Sequence, residues 1–202
     1  MDNIGVISYA TGAGVFLILS LVLMTGQRGR PHKTALMLAS LVSAVWLGVA
    51  AYCISHDLSL LPAYLLEPLR NLALFAFLIR VLSAAYRQPA EAGGYFRRTL
   101  SLFASFSLLM MALVLYRVAA SHPVAVPAGI DFLLAGFLVM AITGLVLVEQ
   151  VIRNARSESR RSVKFLCMGL GALFAYDFYL YSQALLFQEI DQAIWNARGF
   201  IN

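Results

Sequence analysis

The stretch Gln150-Val-Ile-Arg-Asn-Ala-Arg-Ser-Glu-Ser-Arg-Arg-Ser-Val-Lys164 places five positive residues between two long apolar runs. Two earlier gaps between apolar runs, Gln27–Thr34 and Tyr86–Arg98, carry three positive residues each. The three gaps together hold eleven of the fifteen Lys and Arg residues, and they alternate with gaps that hold none. This alternation is typical of a polytopic helical membrane protein whose basic loops lie on the cytoplasmic side.

The composition agrees with a bilayer environment. Hydrophobic residues make up 61% of the 202 residues and charged residues only 12%, whereas soluble domains have about 25% charged residues. The net charge of +5 does not indicate nucleic acid, because the positive residues form no stripe interleaved with aromatics and instead border apolar segments. The lipid bilayer is therefore the expected partner, and nucleic acid is not.

Spanning helices need about 20 mostly apolar residues, and six stretches of the chain meet that requirement. Lipid offers no hydrogen-bond partner to backbone N–H and C=O groups. Each stretch should therefore be helical, because a helix pairs these groups with one another. The sequence predicts an all-α membrane bundle and one domain over residues 1–202. The predicted helices are Ile4–Thr25, Ala35–Ile54, Ala63–Ala85, Thr99–Ala120, Ile130–Glu149 and Val163–Phe187.

The loops also predict an orientation. The gaps Ser55–Pro62 and Ser121–Gly129 hold no positive residue, and the end segment Gln188–Asn202 holds only Arg198. The N-terminus and the end of the sixth helix are therefore expected outside, with the basic loops cytoplasmic. Aromatic residues near helix ends, Tyr9 and Trp195 among them, are expected to anchor at the membrane interface.

Charged residues inside a membrane are costly and are functional candidates by default. The third predicted helix carries Glu67 and Arg70, which share a face, and the sixth carries Asp177 near its middle. Counted from the same side, Asp177 lies roughly 15 Å deep and Arg70 roughly 11 Å deep. The sequence predicts that Asp177 contacts Arg70, with Glu67 and Tyr181 one turn nearer the surface.

Three interpretations of this polar set remain open: a packing clamp that fixes helix register, a switch or ligand pocket that reports a signal, and a proton relay. The candidate residues for the switch or pocket are Glu67, Arg70, Asp177, Tyr176, Tyr179, Tyr181 and Ser182.

The sequence contains no hydrolase, metalloprotease, nucleotide-binding or EF-hand motif. The three histidines fall in loops on both predicted sides, so no metal site and no cofactor is expected within the chain. Cys53 and Cys167 occur in different apolar runs and are expected to be buried free thiols. No catalytic residue is predicted.

Three stretches carry a family resemblance: Val148-Glu-Gln-Val-Ile-Arg-Asn154, Lys164-Phe-Leu-Cys-Met-Gly-Leu-Gly-Ala-Leu-Phe-Ala-Tyr-Asp-Phe-Tyr-Leu-Tyr-Ser182 and Trp195-Asn-Ala-Arg-Gly199. They resemble the N-terminal membrane region of PrsK-type sensor histidine kinases of the exosortase/PEP-CTERM system. The Leu66-Glu67-x-x-Arg70 stretch and the region of Tyr9 are also similar to that family.

The resemblance implies a membrane input module in the bacterial inner membrane. It also implies a homodimeric full-length protein with a cytoplasmic kinase core that uses ATP and Mg²⁺ and acts on a response regulator controlling exopolysaccharide and PEP-CTERM genes. The phosphoacceptor and ATP-binding motifs of such a core do not occur in these 202 residues, so the chain is expected to be the sensor part of a longer protein. The alternative is a small transporter or channel, which would need a continuous polar path through the bilayer.

Overall fold

The computed structural model describes residues 2–25, 31–83, 89–120, 131–154 and 160–201. Within these ranges the chain forms seven α-helices and no β-strand. The helices are α1 (Asp2–Thr25), α2 (Pro31–Ser55), α3 (Leu61–Ser83), α4 (Pro89–Ala120), α5 (Phe132–Asn154), α6 (Arg160–Phe187) and α7 (Gln192–Ile201).

The described ranges contain five helices that are long and apolar enough to cross a membrane, namely α1, α2, α4, α5 and α6. α3 has a similar length, but it carries the three charged residues Glu67, Arg70 and Arg80 and is not among the five. The prediction of an all-α, multi-pass membrane bundle is confirmed, while the number of spans stays a prediction.

The observed helices differ from the predicted ones by a few residues at several ends and more substantially at two places. α4 begins at Pro89 rather than Thr99, so most of the predicted basic gap Tyr86–Arg98 is helical. Proline suits this position because its fixed φ fits the first helical turn. The second difference is α7, which the sequence did not predict.

The bundle is built around α3, which packs against α2, α4 and α5. α5 packs on α6, and α7 lies between α6 and α1. The outward faces of α1, α4 and α6 are apolar, with large side chains such as Ile18, Val22, Leu102, Leu108, Phe165 and Met168 exposed. Such continuous exposed apolar surface is what a protein solvated by lipid presents.

Two tight turns direct the chain back into the bundle. α2 ends in a Schellman-type turn, in which Leu58 N–H donates to the Cys53 carbonyl at 2.9 Å and Asp57 has a left-handed φ of 51°. α6 is followed by Gln188, with a φ of 59°. Asp191 then caps α7, because its carboxylate accepts a 2.7 Å hydrogen bond from Ala193 N–H.

Glycines allow α7 to lie close against α1. A Cβ on Gly199 would stand 2.5 Å from the backbone N of Tyr9, and a Cβ on Gly12 would stand 2.8 Å from the Gly199 carbonyl oxygen. Gly5 faces Asn196 at a similarly short distance. Since Gly5 pairs with Asn196 and Gly12 with Gly199, α7 runs in the same direction as α1. Small residues of this kind permit close packing of membrane helices.

Candidate functional site

Four charged side chains from three helices meet in the core. They are Glu67 and Arg70 of α3, Asp177 of α6 and Arg198 of α7, and each is at most 1% exposed. We call these four residues the ion cluster. α3, α6 and α7 therefore converge on a polar site inside an otherwise apolar bundle.

Asp177 receives both guanidinium groups. Arg70 Nη2 donates to Asp177 Oδ2 at 2.5 Å, and Arg198 Nε donates to Asp177 Oδ1 at 2.7 Å. The predicted contact between Arg70 and Asp177 is thus confirmed. Arg70 Nη2 also lies 3.2 Å from the side-chain oxygen of Asn71, the next residue on α3.

Glu67 is held through one oxygen. Its Oε1 accepts hydrogen bonds from Arg198 Nη2 and from the Tyr181 hydroxyl. Arg198 Nη1 in turn donates to the Tyr181 hydroxyl oxygen at 3.3 Å. The other oxygen, Glu67 Oε2, is buried and has no hydrogen-bond partner among the described residues. Glu67 is therefore less completely satisfied than Asp177.

Trp46 of α2 forms an aromatic wall of the cluster. The guanidinium carbons of Arg70 and Arg198 lie 4.3 and 4.8 Å from its ring centroid, within the range of a cation–π interaction. The ring is fixed by a 3.0 Å hydrogen bond from Trp46 Nε1 to the Ala63 carbonyl. α2 thus contributes to the site although it carries none of its charges.

The cluster contains two carboxylates and two guanidiniums, so it is electrically balanced. A guanidinium keeps its proton in proteins, so Arg70 and Arg198 are both charged. Buried charges are tolerated when paired and hydrogen-bonded, and removing one partner is costly.

The remaining predicted site residues do not all reach the cluster. Tyr181 is fully integrated, as described above. The Tyr176 hydroxyl donates to the Ile194 carbonyl at 2.7 Å and so joins α6 to α7. Tyr179 is 47% exposed on the outside of the bundle, and the Ser182 hydroxyl donates to the Tyr179 carbonyl within its own helix.

Arg198 and Trp46 are the functional candidates that sequence reasoning missed. A signal for Arg198 was present, because the predicted set Glu67, Arg70 and Asp177 carries a net charge of −1. A net charge buried in a bilayer calls for a counter-charge. No comparable signal identifies Trp46, which lies in an unremarkable apolar run.

Two expected interfacial anchors are also buried. Tyr9 and Trp195 are 0% and 1% exposed, and the Tyr9 hydroxyl donates to the Trp195 carbonyl at 2.8 Å. The expectation that they anchor at the membrane surface is wrong, because α7 covers α1 at this point and removes both rings from the lipid.

Several predictions about residues outside the ion cluster can be compared with the structure. Cys53 and Cys167 are buried free thiols, as expected. Glu149 pairs with Arg153 at 3.4 Å on the exposed end of α5. Across the ranges that the structure describes, no group of three or more His, Cys, Asp and Glu side chains is placed to hold a metal ion. His122 and the other residues of 121–130 lie outside those ranges.

Comparison of the chain with protein-family models, with curated proteins and with solved structures gives no match. The assignment of a function therefore depends on the geometry of the chain itself. That geometry offers an ion cluster that links three helices.

Proposed function

We propose that this chain is the membrane-embedded input region of a signalling protein, of the kind found in PrsK-type sensor histidine kinases. The observation that carries the proposal is the ion cluster, which joins α3, α6 and α7 through charge-assisted hydrogen bonds in a fully buried site. Such a cluster has few alternative arrangements, and each would reposition whole helices. A two-state response to a cue is favoured by that property.

The proposed orientation places the N-terminus outside, six full crossings in the bacterial inner membrane and the basic segments in the cytoplasm. α7 enters the bundle beside the N-terminal half of α1 and runs in the same direction. Any chain that continues from α7 along this course would approach the cytoplasmic side. A kinase core there would use ATP and Mg²⁺, act on a response regulator and dimerise, all outside this chain.

The unequal satisfaction of the two carboxylates supports a direction for the switch. Asp177 is bonded through both oxygens, whereas Glu67 is bonded through one. The contact between Glu67 and Arg198 is therefore the part of the cluster that separates first. Its separation would release α7 from α3 while Asp177 stays paired with Arg70.

The proposal is tested in the full-length protein by autophosphorylation with labelled ATP in inverted membrane vesicles, together with reporter expression from the regulated genes. Glu67→Gln and Arg198→Gln are expected to change basal phosphorylation at least several-fold and to abolish its response to growth conditions. Glu149→Gln, an exposed substitution of the same kind, is the control. Normal insertion with unchanged phosphorylation in both cluster variants would contradict the proposal.

A further inference from the structure

A cavity of about 430 Å³ opens at the end of the bundle where α3 and α5 begin and α4 ends. The cavity is separate from the ion cluster, although two residues of the cavity wall extend towards the cluster. Pockets that bind small molecules have volumes of about 300–1,000 Å³ and are mostly apolar with a few polar groups. The cavity has the size of such a pocket, near the lower limit.

The wall of the cavity is mostly apolar, and its polar members are Ser59, Arg117 and Gln192. Leucine, valine and isoleucine side chains from four different segments form it, together with two aromatic rings, Tyr64 and Phe137. The aliphatic members include Leu61, Val114, Leu133 and Ile190. A hydrocarbon chain is the chemistry that the aliphatic part of this surface would hold.

The mouth of the cavity carries one cation. Arg117, in the last turn of α4, lines the cavity and is 38% exposed. Its Nη1 pairs with Asp131 Oδ2 at 2.7 Å, while Asp131 Oδ1 caps α5 by accepting from Leu133 N–H. A guanidinium has five N–H donors, so a second anion can bind Arg117 in competition with Asp131 or beside it.

We infer that this cavity binds a single-chain amphiphile, with its hydrocarbon chain against the aliphatic wall and an anionic head group, phosphate or carboxylate, on Arg117. The small volume favours one chain over a two-chain phospholipid. The end of a membrane bundle is also where such a molecule would arrive, since amphiphiles place their head groups at the bilayer surface.

The cavity is connected to the ion cluster by two aromatic contacts. Phe137 stacks on Tyr181 with ring centroids 5.0 Å apart, and Tyr181 donates to Glu67. Tyr64 lies 5.2 Å from the ring of Trp195, three residues before Arg198 on α7. A bound chain would therefore press through Phe137 and Tyr64 on Tyr181 and Trp195, which both contact Arg198. The role of the bound amphiphile as a signal depends on the proposed function, whereas the binding of the amphiphile does not.

The test is equilibrium binding of labelled dodecyl phosphate to the intact chain in nanodiscs of zwitterionic lipid, with empty nanodiscs subtracted. We expect one saturable site per chain. Leu133→Trp, which fills the cavity, should weaken binding at least tenfold. Leu109→Trp, on the lipid-facing side of α4 where Leu109 is 54% exposed, should leave it unchanged.

The head-group contact is tested with two substitutions that each remove a charge, one at Arg117 and one at Asp131. Arg117→Gln should weaken dodecyl phosphate binding about tenfold and leave binding of uncharged dodecanol unaltered. Asp131→Asn should strengthen dodecyl phosphate binding several-fold, because asparagine still caps the helix but no longer competes for the guanidinium.

Two results would overturn the inference. One is uptake that never saturates or is equal in Leu133→Trp and Leu109→Trp, which indicates simple partition into lipid. The other is native mass spectrometry showing a phospholipid bound at this site in place of the probe. Because these measurements use no kinase output, their failure leaves the proposed function standing, and unaltered signalling in the cluster variants leaves the binding site standing.

Discussion

The ion cluster and the ion pair Glu149–Arg153 at the end of α5 use the same chemistry in opposite surroundings. Glu67, Asp177 and the guanidinium of Arg198 are at most 1% exposed. The side chains of Glu149 and Arg153 are 65% and 76% exposed, with a 3.4 Å contact. Water can replace the partner in the exposed pair and cannot do so in the cluster.

This difference determines which charges matter to the structure. An exposed ion pair contributes about 0–1 kcal/mol, because both groups remain well solvated when separated. Removing one member of a buried pair costs about 3–5 kcal/mol, because the other charge is left uncompensated. The same substitution should therefore have very different effects in the two places, and the predictions below examine that contrast.

The largest effect is expected for Asp177→Ala. Asp177 is the acceptor for both Arg70 and Arg198, so its loss leaves two buried cations with one carboxylate. We expect a loss of about 3–5 kcal/mol in the free energy of unfolding, measured by titrating the detergent-solubilised chain with SDS and following circular dichroism. If Asp177→Ala lost less unfolding free energy than a variant of the exposed pair Glu149–Arg153, water would have to reach the cluster.

A smaller effect is expected where α7 packs on α1. Gly199→Ala would bring a Cβ to 2.5 Å from the backbone N of Tyr9, so α7 must shift and carry Arg198 with it. Overpacking of this kind costs about 1–3 kcal/mol. Gly14→Ala in α1 is the control, because nothing lies within 4 Å of that position, and it should be neutral or stabilising. Equal stability of the two variants would place α7 away from α1.

The smallest effect is expected for Glu149→Gln. Its partner Arg153 lies one turn further along the same exposed helix end, so the change in unfolding free energy should be within about 0.5 kcal/mol in the same SDS titration. Raising the salt concentration should shrink even that difference, since screening acts on exposed pairs. A loss of 2 kcal/mol or more, on the order of a buried group, would mean that this end of α5 is covered.

The contact between Arg70 and Asp177 could be predicted because helices have a fixed rise. Once both residues were assigned to spanning helices that share an outer end, counting residues placed their side chains at similar depth. The boundaries of α1 and α6 followed from apolar run length in the same way. These are properties of single segments, which a sequence records directly.

The place of Arg198 depends on the packing of one segment against another. Residues 192–201 are too short to span a bilayer, and their polar residues resemble those of a loop. What brings them into the bundle is the fit of Gly199 against Ser8 and Tyr9, which no local pattern encodes. The burial of Tyr9 and Trp195 has the same origin. Tyr179 shows the converse, because a polar aromatic residue two positions from Asp177 faces outward.

A double-mutant cycle between Glu67→Gln and Arg198→Gln is the most direct test that α7 completes the ion cluster. The two residues are 131 positions apart in sequence, and only the fold described here joins them. We expect the double variant to lose less stability than the sum of the single losses by about 1–3 kcal/mol, as groups in contact do. Losses that add to within about 0.5 kcal/mol would mean that the two side chains do not meet, and would contradict the central claim.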